Sequence, residues 1–146
     1  MLGMRGILVR ERKQTVAAVT SRERRARRAR LVTIVNELPE ADANTAEGQR
    51  HLSLEVRGRR FGWLLDNHHD DKRLALNCRA PAGASRMLTA AEPEKFYVPK
   101  YLGHRGWVGI WLDLADVDWP AVEALLSDAY RLTAPRALLR RVWEAE

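Results

Sequence analysis

Residues 51 to 80 hold three short runs, "HLSLEVRG", "FGWLLD" and "RLALNCRA", joined by "RGRR" and "NHHDDK". A parallel pair of strands needs a crossover of roughly a dozen residues, usually a helix. These links are too short for one, so the runs must pair as an antiparallel meander. In the first run Leu52, Leu54 and Val56 alternate with His51, Ser53, Glu55 and Arg57. In the third, Leu74, Leu76 and Cys78 alternate with Arg73, Ala75, Asn77 and Arg79. That period of two describes strands with one buried face.

The flanking segments change period. "SRERRARRARLVTIVNEL" carries Leu31, Ile34, Val35 and Leu38 at one-face helical spacing, with Ser21 as the expected N-cap and Pro39 as the stop. "EADANTAEGQ" reads as a polar loop, and "SRMLTAAEP" as a short helix closed by Pro93. "DWPAVEALLSDAYRLTAP" is a longer helix capped by Asp118, with Val122, Leu125, Leu126 and Ala129 inward, and "RALLRRVWEAE" a last one. Between them, "YVPKYLGHRGWVGIWLD" is expected to be a hairpin with His104 and Arg105 as its two turn residues. Tyr101 then faces Val108, Pro99 faces Ile110 and Tyr97 faces Leu112 on the core side. Leu102 opposite Trp107, Lys100 opposite Gly109 and Val98 opposite Trp111 take the other side. The expected order is α-β(3)-α-β(2)-α, a two-layer α+β fold with helices on one face of an antiparallel sheet.

Charge divides the chain unevenly. Residues 1–30 hold ten Lys and Arg against Glu11 and Glu23; the remainder has fifteen basic and seventeen acidic side chains. The body is near neutral and the high isoelectric point belongs to the first segment. Residues 1–20 are expected to form a poorly ordered basic arm and residues 21–146 a single domain. A basic segment attracts polyanions without reading sequence, and a solvated helix face would show the same charge. The single cysteine, Cys78, forms no internal disulfide, which fits a reducing cytosol. No run is long and apolar enough for a membrane span, and no secretory signal is recognisable. The expected location is the cytoplasm.

Each cluster with chemical potential has a plainer reading beside it. "GHRG" is a tight turn first; His104 and Arg105 could also contact phosphate, but no nucleophile or carboxylate signature makes His104 catalytic. "NHHDD" places neighbouring side chains on opposite strand faces, so His68 and His69 do not converge on one metal ion. Asp113, Asp116 and Asp118 precede a helix, where acidic caps are favoured. Cys78 alternates inward and reads as a small buried hydrophobe. Gly-rich phosphate loops, nucleophile elbows and dinucleotide fingerprints do not occur. Neither catalytic residues, a metal site nor a cofactor is expected.

Three segments, "NHHDDKRLALNCRAP", "YVPKYLGHRGWVGIWLD" and "VDWPAVEALLSDAYRLTAP", carry a resemblance to the MmcQ/YjbR family of small bacterial proteins. With "LPEADANTAEGQRHLSLEVRGRRFG" it covers roughly residues 25–143; the first twenty or so have no counterpart. The family's fold, grouped with secretion-chaperone-like and frataxin-like two-layer proteins, agrees with the order read from periodicity. The resemblance implies DNA binding, with hairpins acting as paired wings, and no enzymatic activity. On that reading the phosphate contacts come from Arg24, Arg25, Arg27 and Arg28 on the basic helix, and from Arg59, Arg60, Lys100, His104 and Arg105 at the hairpins. The alternative is a chaperone-like or homodimeric interaction module whose exposed sheet face presents Trp107 and Trp111 to a protein partner.

Overall fold

A computed structural model describes residues 19–45, 50–67 and 71–144. The chain runs α1 (Ser21–Glu37), β1 (Ala41–Thr45), β2 (Leu52–Val56), β3 (Arg59–Asp66), β4 (Leu74–Cys78), α2 (Ala84–Ala91), β5 (Phe96–Tyr97), β6 (Val108–Trp111), α3 (Trp119–Thr133) and α4 (Arg136–Glu144). Six strands form one antiparallel sheet in the order β1-β2-β3-β4-β6-β5. The fold is the expected α+β class, with one strand more than the sequence reading allowed.

The meander forms as its alternation requires. Arg57 and Gly58 join β2 to β3 at φ 47° and 76°, the positive values that match a two-residue turn to strand twist. Leu52, Leu54, Leu64, Leu74, Leu76, Cys78, Val108 and Ile110 fill one face and are almost wholly buried. Against them pack Leu31 and Val35 of α1, Val122, Leu126, Ala129 and Tyr130 of α3, and Leu138 of α4. A bulge interrupts β3 where the register passes from Leu54↔Gly62 to Glu55↔Arg60. The extra residue, Phe61, turns into the core and meets Tyr130 edge-on at 6.1 Å. Tyr130 also donates its hydroxyl proton to the Pro39 carbonyl at 2.7 Å, tying α3 to the turn after α1.

Three expectations need correction. The first half of "EADANTAEGQ" is not a loop: Ala41–Thr45 is edge strand β1, paired with β2 from Ala41↔Val56 to Thr45↔Leu52. Only two alanines mark its inward side, too faint an alternation to stand out in a polar stretch. The α1 N-cap is Thr20 rather than Ser21; its Oγ1 accepts from the Glu23 N–H at 3.1 Å.

The third correction concerns the late hairpin. Phe96 pairs with Ile110 and Tyr97 with Gly109, three positions away from the expected register. An odd shift exchanges the faces of a strand, so Tyr97 leaves the core side and Tyr101 is 88% exposed. β5 stops after two residues because Pro99 has no N–H for the ladder. Residues 98–107 make a long connection with a 3-10 turn at Gly103–Arg105 in place of a two-residue tip. Gly106 closes that turn at φ 83°, a value that glycine adopts without steric cost.

Candidate functional site: an aromatic cleft beside a basic end

The face of the sheet away from the helices is built in rows. Trp63 on β3 pairs with Asn77 on β4, Asn77 with Gly109 on β6, and Gly109 with Tyr97 on β5. The next row runs Leu65, Ala75, Trp111. Small residues therefore form a floor, and rings rise on either side. The result is a cleft of about 720 Å³, completed by the chain from Val98 to Leu102 and by His51, Asp71 and Arg73 at one end.

Its walls are fixed by stacking. Tyr97 lies over Gly109, where an added methyl would come within 2.2 Å of the ring. The same ring stacks on Trp111 with centroids 4.4 Å apart, and its hydroxyl donates to Asn77 Oδ1. Burial pushes the Tyr97 phenol well above its ordinary pKa, so it stays a neutral donor. The Arg73 guanidinium sits 3.6 Å from the Trp111 centroid and donates to buried Asp113 through Nε at 2.7 Å and a terminal nitrogen at 3.0 Å. Asp113 also accepts from the Leu74 N–H at 2.9 Å. On the far wall Arg60 lies 3.8 Å over Trp63 and donates to Ser53 Oγ at 2.8 Å. Guanidiniums over indoles are cation–π pairs, and they hold both tryptophans in fixed orientations.

A second cleft, of about 880 Å³, adjoins the first across a shared wall of Val98, Pro99 and Tyr101. It is lined by the start of α2 with Arg86, and by His104 and Arg105 of the 3-10 turn. The pairings Gly62↔Cys78 and Cys78↔Val108 put the starts of β3 and β6 at the same end of the sheet. The Arg57–Gly58 turn and the 3-10 turn therefore project from one end. Among the described residues the side chains of Arg59, Arg86, Lys100, His104 and Arg105 have no hydrogen-bond or ion-pair partner.

The residues singled out from sequence fall into distinct groups. Arg24 donates to Asp66 at 3.0 Å and to the Lys72 and Arg73 carbonyls. Arg27 donates to the Leu112, Leu114 and Ala115 carbonyls, and Arg28 to Asp66 at 3.2 Å and to the Arg50 carbonyl. These three guanidiniums staple α1 to the sheet; Arg25 is exposed beside them. Arg60 lies over Trp63 and is held by Ser53. Arg79 is held by Thr133 Oγ1 at 2.9 Å. Lys100 stands on the cleft rim, not beside Gly109, whose space Tyr97 fills. Trp111 stands on the face away from the helices and lines the cleft, whereas Trp107 is only 7% exposed. Trp63 was missed: the Phe61 bulge breaks the alternation of "FGWLLD", and only the register places it opposite Asn77.

Cys78 is fully buried, and burial pushes its thiol up to about 12. Asp118 caps α3 by accepting from the Ala121 N–H at 3.1 Å, which with Lys95 holds its carboxyl below the usual range. His68, His69 and Asp70 lie outside the described residues, as does most of the basic arm. Among the described residues no three His, Cys, Asp or Glu side chains gather as metal ligands, and no helix is long and apolar enough to cross a membrane.

Comparison with known proteins gives the fold a lineage. No curated protein matches the sequence. A solved Deinococcus radiodurans protein with a DUF419 domain is 22% identical, with a TM-score of 0.57 over 70% of this chain and 74% of that one. A Pseudomonas syringae protein is similar at 10% identity and the same TM-score, over 73% of this chain and 98% of that one. At these identities the likeness is one of fold. The YjbR family model matches residues 36–132, from the last turn of α1 almost to the end of α3, and the chain belongs to the YjbR family.

Proposed function

We propose that the protein binds DNA without catalysing a reaction on it, holding phosphates at the end of the sheet where its two turns project. The observation that supports this reading is the selective pairing of its cations. Arg24, Arg27, Arg28, Arg60, Arg73 and Arg79 are all engaged within the fold. Arg59, Arg86, His104 and Arg105 are exposed and carry no partner among the described residues. Cations left in water gain by displacing counterions from phosphates, and such contacts position a protein without specifying a base. The β3 and β6 starts are separated by β4, hence by two strand spacings, roughly 10 Å. Two basic turns at that separation can engage one backbone as paired wings.

The test is fluorescence anisotropy of a labelled duplex over a salt series, with three proteins: the full chain, a chain beginning at residue 19, and an Arg59→Ala/Arg105→Ala double variant. Starting at residue 19 keeps the Thr20 cap and the three arginine staples of α1. The double variant is expected to flatten the log K against log salt slope by about 0.9 for each arginine removed. A slope unchanged by the double substitution, or binding that vanishes with residues 1–18 alone, would refute the site.

A further inference from the structure

The aromatic cleft has the form of a receptor for a flat ring. Trp63 and the Tyr97–Trp111 stack rise from β3 and from the β6–β5 pair, on either side of β4. The two walls are thus about two strand spacings apart, roughly 10 Å between backbones. After the thickness of the rings is subtracted, the gap admits a planar group edge-on and excludes a helix or a duplex. Between the walls the floor is Ala75 and Asn77.

Asn77 gives that floor its chemistry. It is only 6% exposed, and buried amides ordinarily satisfy both ends. Its Oδ1 accepts from Tyr97, while its Nδ2 has no partner among the described residues. With Oδ1 accepting from the Tyr97 hydroxyl, the NH2 group is the end of this cleft-lining amide left without a partner among the described residues. A donor on an apolar floor between aromatic walls suits a ring that carries a carbonyl or ring-nitrogen acceptor. The rim adds charge: Lys100 has no partner among the described residues and lines the cleft. The shared wall at Tyr101 leads directly to the basic cleft of Arg86 and Arg105. Tyr101 holds φ at 65°, a costly value for a non-glycine residue, and is 88% exposed at this partition.

We infer that the cleft takes an unpaired nucleobase from single-stranded nucleic acid, with Lys100 and the adjoining basic cleft holding the flanking phosphates. This rests on the reading of the basic end as a phosphate site. It goes beyond it by assigning a preference for single strands and a base-contacting role to Trp63 and Asn77. Aromatic contact with a base tolerates any sequence, since every base has a π-face; the Asn77 amide adds selection for a base with an acceptor on its inserted edge.

The experiment compares a labelled single strand with its own duplex by anisotropy at equal salt, and records the indole N–H signals of Trp63 and Trp111 by NMR on addition of each. The expected result is single-strand affinity about tenfold above duplex, with both indole signals moving for the single strand only. Trp63→Ala is expected to remove about tenfold from single-strand affinity and to leave duplex affinity unchanged. The indole shifts of the wild-type chain carry the test if that variant fails to fold. Equal affinities with silent indoles would overturn the cleft assignment while leaving the phosphate site standing. Absence of binding to either DNA at low salt would overturn the phosphate reading and the cleft assignment together. Indole shifts with a free nucleoside monophosphate but not with the oligonucleotide would overturn the proposal in favour of a small-molecule site. Shifts that follow protein concentration alone would overturn it in favour of self-association.

Discussion

The two ends of the sheet use the same residue type for opposite purposes. At the end where β3 finishes and β4 begins, Arg24, Arg27, Arg28 and Arg73 are structural, while Arg25 and Arg50 stay exposed. Asp66 holds Arg24 and Arg28, Asp113 holds Arg73, and Arg27 reaches three carbonyls past β6. Asp66 also answers the awkward placement of Arg24 and Arg28 at the start of α1, where the helix dipole disfavours cations. At the other end Arg59 and Arg105 have no such partner among the described residues, while Glu40 neutralises Arg57 at 3.0 Å and Arg141 at 2.8 Å. The difference teaches that an arginine count is not a footprint. What is available to a polyanion is set by where the carboxylates fall in three dimensions.

The comparison breaks hardest at Asp113. It is 1% exposed and accepts three hydrogen bonds. Asp113→Ala leaves Arg73 and the Leu74 N–H without an acceptor and is expected to cost about 3 kcal/mol, read as a lowered urea midpoint. DNA affinity of the folded fraction should not change. A variant of wild-type stability would show that the paired end is not a structural staple.

A gentler perturbation is acid. The Asp118 carboxyl is held below its ordinary pKa by the Ala121 N–H and then by Lys95. A lowered folded-state pKa contributes stability above the unfolded value, near 4, and that contribution is lost as pH falls through the folded value. Asp118→Ala is therefore expected to cost about 1 kcal/mol at neutral pH and progressively less below about pH 4. Denaturant midpoints for the variant and the wild type should converge in acid; a constant gap would mean that the cap is not acting through its charge.

At the basic end, Arg59→Ala and Arg105→Ala should each change stability by less than about 0.5 kcal/mol while weakening duplex binding. Loss of stability there would erase the contrast between the ends. The smallest effect is expected at Cys78, whose thiol lies at about 12 and is sealed in the core. Native protein should resist thiol reagents at pH 8 and react only on unfolding, so labelling reports the global unfolding that the Asp113 variant accelerates.

Much of the fold is legible in the residues, and the reason is local. Alternation in β2 and β4, the one-face spacing of Leu31 and Val35, the Asp118 cap and the breaks at Pro39 and Pro135 all act within a few positions. β1 escaped because Ala41 and Ala43 bury too little to announce a strand. The two tryptophans part company: Trp111 lines the cleft, but Trp107 does not, because it lies before β6 in the 98–107 connection and is buried there.

The sequence by itself determined the class of fold, the meander, the helix stripes and the inward place of Cys78, because periodicity and caps are properties of neighbours along the chain. Only the tertiary structure decided which arginines are engaged, which tryptophans face each other across the cleft, and that the Asn77 Nδ2 between them has no partner among the described residues. Those facts depend on register, on one bulge at Phe61 and on carboxylates 38 to 42 positions away, where pairing is settled by packing and not by spacing.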